Sequence, residues 1–545
     1  MYPLKDIFTF YNATTKVWSG RPTPSVFNPN QSLGELIFAV LKRNGKKVVQ
    51  ISADSGAQVT GAEMVLRTIR LAQNLQKRGL CCDGDNMFAM AVRNGEHAAP
   101  VLFSCFALGI PVLALDPTFL RDDLSYMLEI VRPKVVFCDS ETLAEMLVAC
   151  EMVSLTPKII VLGDKVEGFE HVDDLLLPTG NEEVFIPVHL EDPPKKLAIL
   201  ICTSGTTGRS KAVCLSHTIC IVQVANFAEL HSSDKLFAFS SLYWLSGLTM
   251  VLGGTIWGTT RVITRQMPSP ELAMEIIERF QVSVAFFPPV HAFAIVKNPL
   301  ALETVFSSIR MIHCGGALVP AQLKESFEKL MPGRYMEVVY GLSEIATLVS
   351  FSNGKHYRPG SVGFLKEGIE IKIVDDEGNP LENGQQGEIC TKAKYMFLGY
   401  YKNEAATKAT LDEEGWLHTG DIGWCDDDGM LYVVDRKKDV LTYDNYQISP
   451  SEIESVVLKV PGVATACVVG IPEQGDDLVT AVVIRSSGEH ELPTAESIIR
   501  TVEEKMPYYK HIRGGVYFVE NLPMTPSGKI SRREAKKMVL KIMCK

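Results

Sequence analysis

The chain has 545 residues, 46% hydrophobic and 22% charged, with 54 Lys plus Arg against 64 Asp plus Glu for a formal charge of −10. At roughly 150 residues per domain the length allows about three to four core-forming units, which excludes a disordered or fibrous chain. An acidic balance with no Lys/Arg-rich block argues against a nucleic-acid partner and leaves room for a local anion pocket. Thirteen cysteines without a Cys-x-x-Cys pair or a His cluster point away from zinc and disulfide frameworks.

The opening MYPLKDIFTFYNATTKVW lacks the charged and apolar regions of a secretory signal, so a reducing intracellular compartment, by default the cytoplasm, is expected. No apolar run approaches the ~18 residues of a membrane span, and the closing Ile-Met-Cys-Lys is not the Ser-Lys-Leu peroxisomal address. The sequence carries no signal for an oligomeric state. Between about 86 and 138, short apolar runs alternate with helical patterns, the punctuation of βαβ units in parallel sheets. The same grammar returns in LAILIC (197–202), VSVAFFPPV (282–290), IRMIHCGG (309–316) and EVVYG (337–341), and ligands of such sheets collect at the carboxyl ends of strands. After about 362 the text turns β-rich, with Asp-Glu-Gly-Asn-Pro and Glu-Asn-Gly as turn signals, and a separate β unit is expected. Past 435 a small α+β domain of about 110 residues follows. Its first helix is predicted with Ser449 as N-cap, Pro450 at N1 and Glu452 completing a capping box.

The most informative stretch is Thr203-Ser204-Gly205-Thr206-Thr207-Gly208-Arg209-Ser210-Lys211, between the apolar strand and an amphipathic run from Ala212 to Phe227. Two glycines and five hydroxyl residues in a strand-to-helix loop can present N–H and O–H donors to phosphate oxygens, with Lys211 adding charge. Walker A spacing and a G-x-G-x-x-G fingerprint are both absent.

This signature resembles the phosphate loop of the adenylate-forming enzymes, which include acyl-CoA synthetases, coumarate:CoA ligases and firefly luciferase. Further matches follow in family order. Gly315-Gly316-Ala317 is similar to the adenine-binding turn, Tyr340-Gly341-Leu342-Ser343-Glu344 to the Tyr-Gly-x-Thr-Glu motif, and Gly415 to Asp421 to the ribose motif. Asp435-Arg436-Lys437-Lys438 resembles the hinge region, and Pro526-Ser527-Gly528-Lys529 the carboxyl-terminal Lys loop. The resemblance implies an α/β fold: a large N-terminal domain (1–437) of two α/β sheets plus a β subdomain (about 362–437), then a small mobile α+β C-terminal domain (438–545). It implies ATP, Mg2+ and coenzyme A, and a small-molecule carboxylic acid as substrate. Glu344 and Thr206 would hold the metal, Asp421 and Arg436 the ribose, and Tyr340 would lie against adenine. Lys529 would bridge carboxylate and α-phosphate, and Lys438 would serve as the hinge. Trp244, Ser246, Leu248, Ile312, Cys314 and Ala346 are expected to approach the acyl group, and their small or apolar character favours a medium to long aliphatic, or an aromatic, acid.

Two departures stand out. Tyr243-Trp244-Leu245-Ser246-Gly247 replaces a His-rich turn, so Leu245 and Ser246 stand where aromatic or His residues are expected. Leu441-Thr442-Tyr443-Asp444-Asn445-Tyr446-Gln447 stands where relatives read Ile-Lys-Tyr-Lys-Gly-Tyr-Gln, so Thr442 replaces a Lys associated with the thioester step. Asn445 replaces a glycine there and tolerates positive φ. Gln223 falls where luciferases place an Arg, and little or no light output is expected. Adenylation with another acceptor, and ligand binding without turnover, are the alternatives to an acyl-CoA synthetase.

Overall fold

Two runs of alternating strand and helix become two stacked sheets. The computed structural model describes residues 9–22, 27–81, 87–203, 210–224, 229–352, 354–444, 446–473, 476–486, 492–524 and 530–543. In the first sheet, Phe88–Ala91, Val112–Ala114, Val135–Asp139 and Lys158–Leu162 run parallel, with Leu197–Thr203 beside Val112–Ala114. Its strands are apolar at nearly every position, as strands covered on both faces must be. One cover is the helix Ala98–Ala107, buried at all ten positions and apolar all round, which fits an element shared between two layers. The largest core cluster accordingly joins Phe88 and Ile199 of the first sheet to Val49, Val349 and Ile371 of the second.

Among the described residues the second sheet has fifteen strands. Its parallel part runs in the spatial order Val48–Ser52, Thr260–Ile263, Lys235–Phe237, Val284–Phe287, Met311–Gly315 and Tyr335–Leu342. From Tyr335–Leu342 the pairing turns antiparallel and continues through Gly363–Leu365 into strands Met430–Arg436, Leu417–Cys425, Gly387–Ala393 and Ile369–Val374. The β-rich stretch expected as a separate unit is therefore hydrogen-bonded into the second α/β sheet. It also recruits the N-terminal hairpin Thr9–Asn12 and Val17–Gly20, whose Trp18 pairs with Ile371.

Three local expectations change. The loop after Thr203 does not lead into a helix: Lys211–Ser216 is a strand antiparallel to Leu197–Thr203, and the helix starts at His217, capped by Ser216. Apolar residues alternating with small ones let Ala212 to Phe227 be read with helical periodicity, but its first part pairs along the sheet edge. The run 282–290 is strand only over Val284–Phe287, because Pro288 caps and Pro289 opens the helix Pro289–Lys297. At Ser449 half of the expected capping box forms: Ser449 Oγ accepts from the Glu452 N–H, while the Glu452 carboxylate pairs with Lys510.

The C-terminal unit has its own three-stranded sheet, Val463–Glu473 antiparallel to Asp476–Arg485 and Val516–Phe518 parallel to the latter. Core clusters cover both faces, one around helices Pro450–Val457 and Ala495–Lys505, the other around Arg532–Met543. The Asp435 carboxylate accepts from the Ser449 hydroxyl (2.8 Å) and the Ser451 N–H (3.0 Å), tying this unit to the large sheet. Among the described residues ten buried cysteines are free thiols, and no helix is long and apolar enough to cross a membrane.

Candidate functional site

The carboxyl ends of the parallel strands open into a cavity of about 810 Å³, with the β-rich part of the same sheet closing one side. The cavity is built where neighbouring strands leave a crevice at their ends. Gly315 is required at its edge: a Cβ there would come within 2.3 Å of the Val339 carbonyl oxygen, and Gly316 has φ +86°. Thr203, Lys211, Gly315, Gly316, Ala317, Gly341, Ser343, Glu344 and Arg436 all contribute to the wall.

Two polar clusters organise this wall. In the first, Asp421 is 3% exposed and both its carboxylate oxygens are engaged. Oδ2 accepts from the Tyr340 hydroxyl at 2.6 Å, and Oδ1 lies 2.6 Å from Arg436 Nε. Register brings Asp421 and Arg436 together as direct partners on antiparallel strands. Burial raises the Tyr340 pKa well above its ordinary value, so the phenol is a proton donor. Burial opposes the Arg436 charge, but Asp421 and neighbouring groups more than offset it and hold the guanidinium above its ordinary range.

In the second cluster, Glu344 sits in the tight turn between Tyr335–Leu342 and Thr347–Phe351, a turn in which buried Ala346 adopts φ +58°. Left-handed backbone at a non-glycine residue is the kind of strain that collects at functional sites. Glu344 Oε1 accepts from the Tyr400 hydroxyl at 2.6 Å, and its carbonyl from the Phe397 N–H at 2.9 Å. Lys211 Nζ lies 4.7 Å from the centroid of the Tyr400 ring. Tyr400 is the residue that motif reading missed, since nothing in Phe-Leu-Gly-Tyr marks it as a partner of Glu344, which is far away in sequence.

Several expected positions move. Tyr340 is not part of the cavity wall; its hydroxyl is committed to Asp421, which lies behind Arg436 and Thr419. Trp244 and Ser246 do line the cavity, and Ser246 Oγ donates to Ser240 Oγ at 2.9 Å. Leu248, Ile312, Cys314 and Ala346 are fully buried in the core and not in the wall. For Ile312 and Cys314 the reason is strand parity: on Met311–Gly315 the alternate residues His313 and Gly315 face the cavity, which turns the other two to the opposite face. Lys438 lies in the turn after Met430–Arg436, on the path to the C-terminal unit. Ser204, Gly205, Thr206, Thr207, Gly208, Asn445 and Lys529 lie outside the described residues.

Comparison with known proteins follows the same outline. The family model for the AMP-binding enzyme matches residues 37–401, and that for the AMP-binding enzyme C-terminal domain matches residues 452–529. The chain is 29% identical over 527 residues to a 4-coumarate-CoA ligase 1 of Narcissus pseudonarcissus, with 94% of each chain covered. It is 28% identical over 540 residues to a luciferin 4-monooxygenase of Photinus pyralis, covering 95% of this chain and 96% of that one. The crystal structure of the anthranilate CoA ligase AuaEII in complex with anthranoyl-AMP shares the fold, with a TM-score of 0.84 at 21% identity, over 95% of this chain and 99% of that one.

Proposed function

Because this chain belongs to the AMP-binding enzyme family of adenylate-forming acyl and aryl ligases, we propose that it activates a carboxylic acid with ATP and transfers the acyl group to coenzyme A. A carboxylate oxygen attacks the α-phosphorus, the bond to pyrophosphate breaks, and the thiol of coenzyme A then displaces AMP from the acyl carbon. The observation that carries this reading is the pairing of two polar clusters at one wall: Glu344, Tyr400 and Lys211 line it, and Arg436 lines it with Asp421 and Tyr340 bonded behind. Arg436 and Lys211 supply positive charge for a triphosphate, and Asp421 supplies acceptor oxygens for a ribose.

A Mg2+ ion fits the donors. Glu344 offers a hard carboxylate oxygen and Thr206 a hydroxyl, whereas no group of three or more His, Cys, Asp or Glu among the described residues could cage a metal alone. Such a sparse set suits an ion that shares its shell with phosphates, and when bound it would neutralise phosphate charge. Lys529 is assigned to the meeting of two anions, where a cation at ~4 Å is worth on the order of 4 kcal/mol at an effective dielectric near 20. Lys438 is assigned to the hinge on which the C-terminal unit delivers and withdraws Lys529. For the acid, the aromatic walls of Trp244, Phe239 and Phe286 favour a medium to long aliphatic or an aromatic chain over acetate.

A second reading keeps adenylation and changes the acceptor to an amine, a carrier protein or oxygen. It is favoured by Thr442, exposed on the hairpin Leu441–Tyr443 and Tyr446–Ile448, where the expected Lys charge is missing. Pyrophosphate release over a panel of fatty and aromatic acids, with and without coenzyme A and with mass detection of the thioester, separates the two. Adenylate accumulation without thioester selects the second.

A further inference from the structure

The parallel strands that end at the cavity set its scale. From Tyr335–Leu342 across Met311–Gly315, Val284–Phe287 and Lys235–Phe237 to Thr260–Ile263 there are four inter-strand steps, about 19 Å at ~4.8 Å per step. Glu344 and Arg436 stand at the first end and residues 264–268 follow the last strand, while Phe286 and His291 belong to the third strand, Val284–Phe287, and the helix after it, and Phe239 follows the fourth. An acid whose carboxylate meets the nucleotide therefore directs its tail towards His291.

That end is not a plain hydrocarbon sleeve. The His291 ring meets Phe239 edge to face, with centroids 5.8 Å apart and planes at 83°. It lies in the first turn of helix Pro289–Lys297, where Pro288 and Pro289 restrict the entering backbone. Nδ1 is sealed from the cavity without a hydrogen-bond partner among the described residues, so Nε2 is the nitrogen that water or a ligand can meet. Burial also lowers the His291 pKa below the ordinary imidazole range, so at neutral pH one nitrogen donates and the other accepts. Of the cations at this end, Arg265 Nη2 pairs with Glu141 at 2.8 Å, and Arg93 Nη1 donates to the Arg265 carbonyl at 3.4 Å, while the Nε of each is buried without a partner among the described residues.

An alkyl tail that fills the cavity strips the imidazole of water and returns no hydrogen bond. A hydroxyl, carbonyl or amide at the same depth restores one, and sites built to bond such a group reject the analogue that lacks it. We propose that His291 is the specificity-determining residue for the distal end of the acid, and that the substrate carries a neutral hydrogen-bonding group there instead of ending in a methyl. This rests on the reading of the cavity as a carboxylic-acid site, and it narrows that reading from fatty acids in general to functionalised ones.

The test uses matched acids on two scaffolds: ω-hydroxy against unsubstituted fatty acids of equal length, and para-hydroxy against para-methyl aryl acids. Specificity is read as kcat/KM from pyrophosphate release. In the wild type the hydroxylated member should lead by ~10-fold or more on whichever scaffold turns over. His291→Phe should bring that ratio to within about twofold, and His291→Gln, which keeps a donor and an acceptor, should retain a preference. The melting shift induced by ATP reports that each variant is folded; if the Phe variant gives none, His291→Leu takes its place. A ratio unchanged by the substitution overturns the proposal, as does a wild-type preference for the methyl-ended acid. Pyrophosphate release with no acid at all overturns the adenylation reading itself, a result distinct from release with an unchanged ratio.

Discussion

Asp421 shows how a single residue can be legible in sequence and still differ in its surroundings. The ribose motif singles it out, but its bonds to Tyr340 and Arg436 depend on strands that are distant in sequence. Asp421→Ala leaves a phenol and a guanidinium without their shared acceptor, which should cost about 1–3 kcal/mol of stability and weaken ATP at least ~10-fold, read from urea midpoints and nucleotide titration. Tyr400, invisible to motif reading, carries its own expectation. Tyr400→Phe removes the hydrogen bond to Glu344 and should raise the KM for Mg-ATP about fivefold for ~1 kcal/mol lost, with kinetics at saturating ATP much less affected. Lys529→Ala should lower the rate of acid-dependent pyrophosphate release by at least ~10² while melting like the wild type. A variant that melts normally and releases pyrophosphate at the wild-type rate removes Lys529 from the mechanism.

At the scale of elements, register decides what motif spacing leaves open. Met311–Gly315 and Tyr335–Leu342 run parallel with His313 opposite Glu337, and His313 Nδ1 lies 3.3 Å from a Glu337 oxygen. Burial raises the Glu337 pKa from 4.5 to about 7, against the pull of Lys366 and Arg310, and lowers that of His313 from 6.5 to about 3. The contact thus brings together two uncharged groups across most of the acid range. Because the folded chain keeps a proton on Glu337 that the unfolded chain releases, this group's contribution is full below pH 4.5 and is lost as pH rises through 7. His313 acts in the opposite direction, its contribution full above pH 6.5 and lost as pH falls towards 3. The difference in unfolding free energy between the wild type and Glu337→Gln isolates the carboxyl, and it should fall by about 3 kcal/mol between pH 4.5 and 7. A flat difference would mean that Glu337 ionises freely in the fold. The same parity explains why Cys314 and Ile312, expected at the acyl group, belong to the core: the motif identifies the strand, and only pairing and layer decide which alternate residues face the cavity.

For the whole molecule, the long apolar runs and their spacing made both parallel sheets legible, because buried parallel strands read as near-continuous hydrophobic segments. What the text did not reveal was long-range pairing. The hairpin Thr9–Asn12 and Val17–Gly20 joins a strand beginning at Ile369, and the β-rich part continues the second α/β sheet through Gly363–Leu365. Edge pairing of this kind leaves no local periodic signal. It matters to function because it sets Arg436 and Asp421 on the sheet that also carries Glu344, so both polar clusters share one rigid frame. The C-terminal unit has its own core and a tie to that frame through Asp435 and Ser449. The most direct test of this account measures acid-dependent pyrophosphate release and thioester mass in one reaction, with and without coenzyme A. The account predicts pyrophosphate release that needs ATP and an acid, and a thioester that appears only with coenzyme A; ATP bound with no pyrophosphate released from any acid would contradict it.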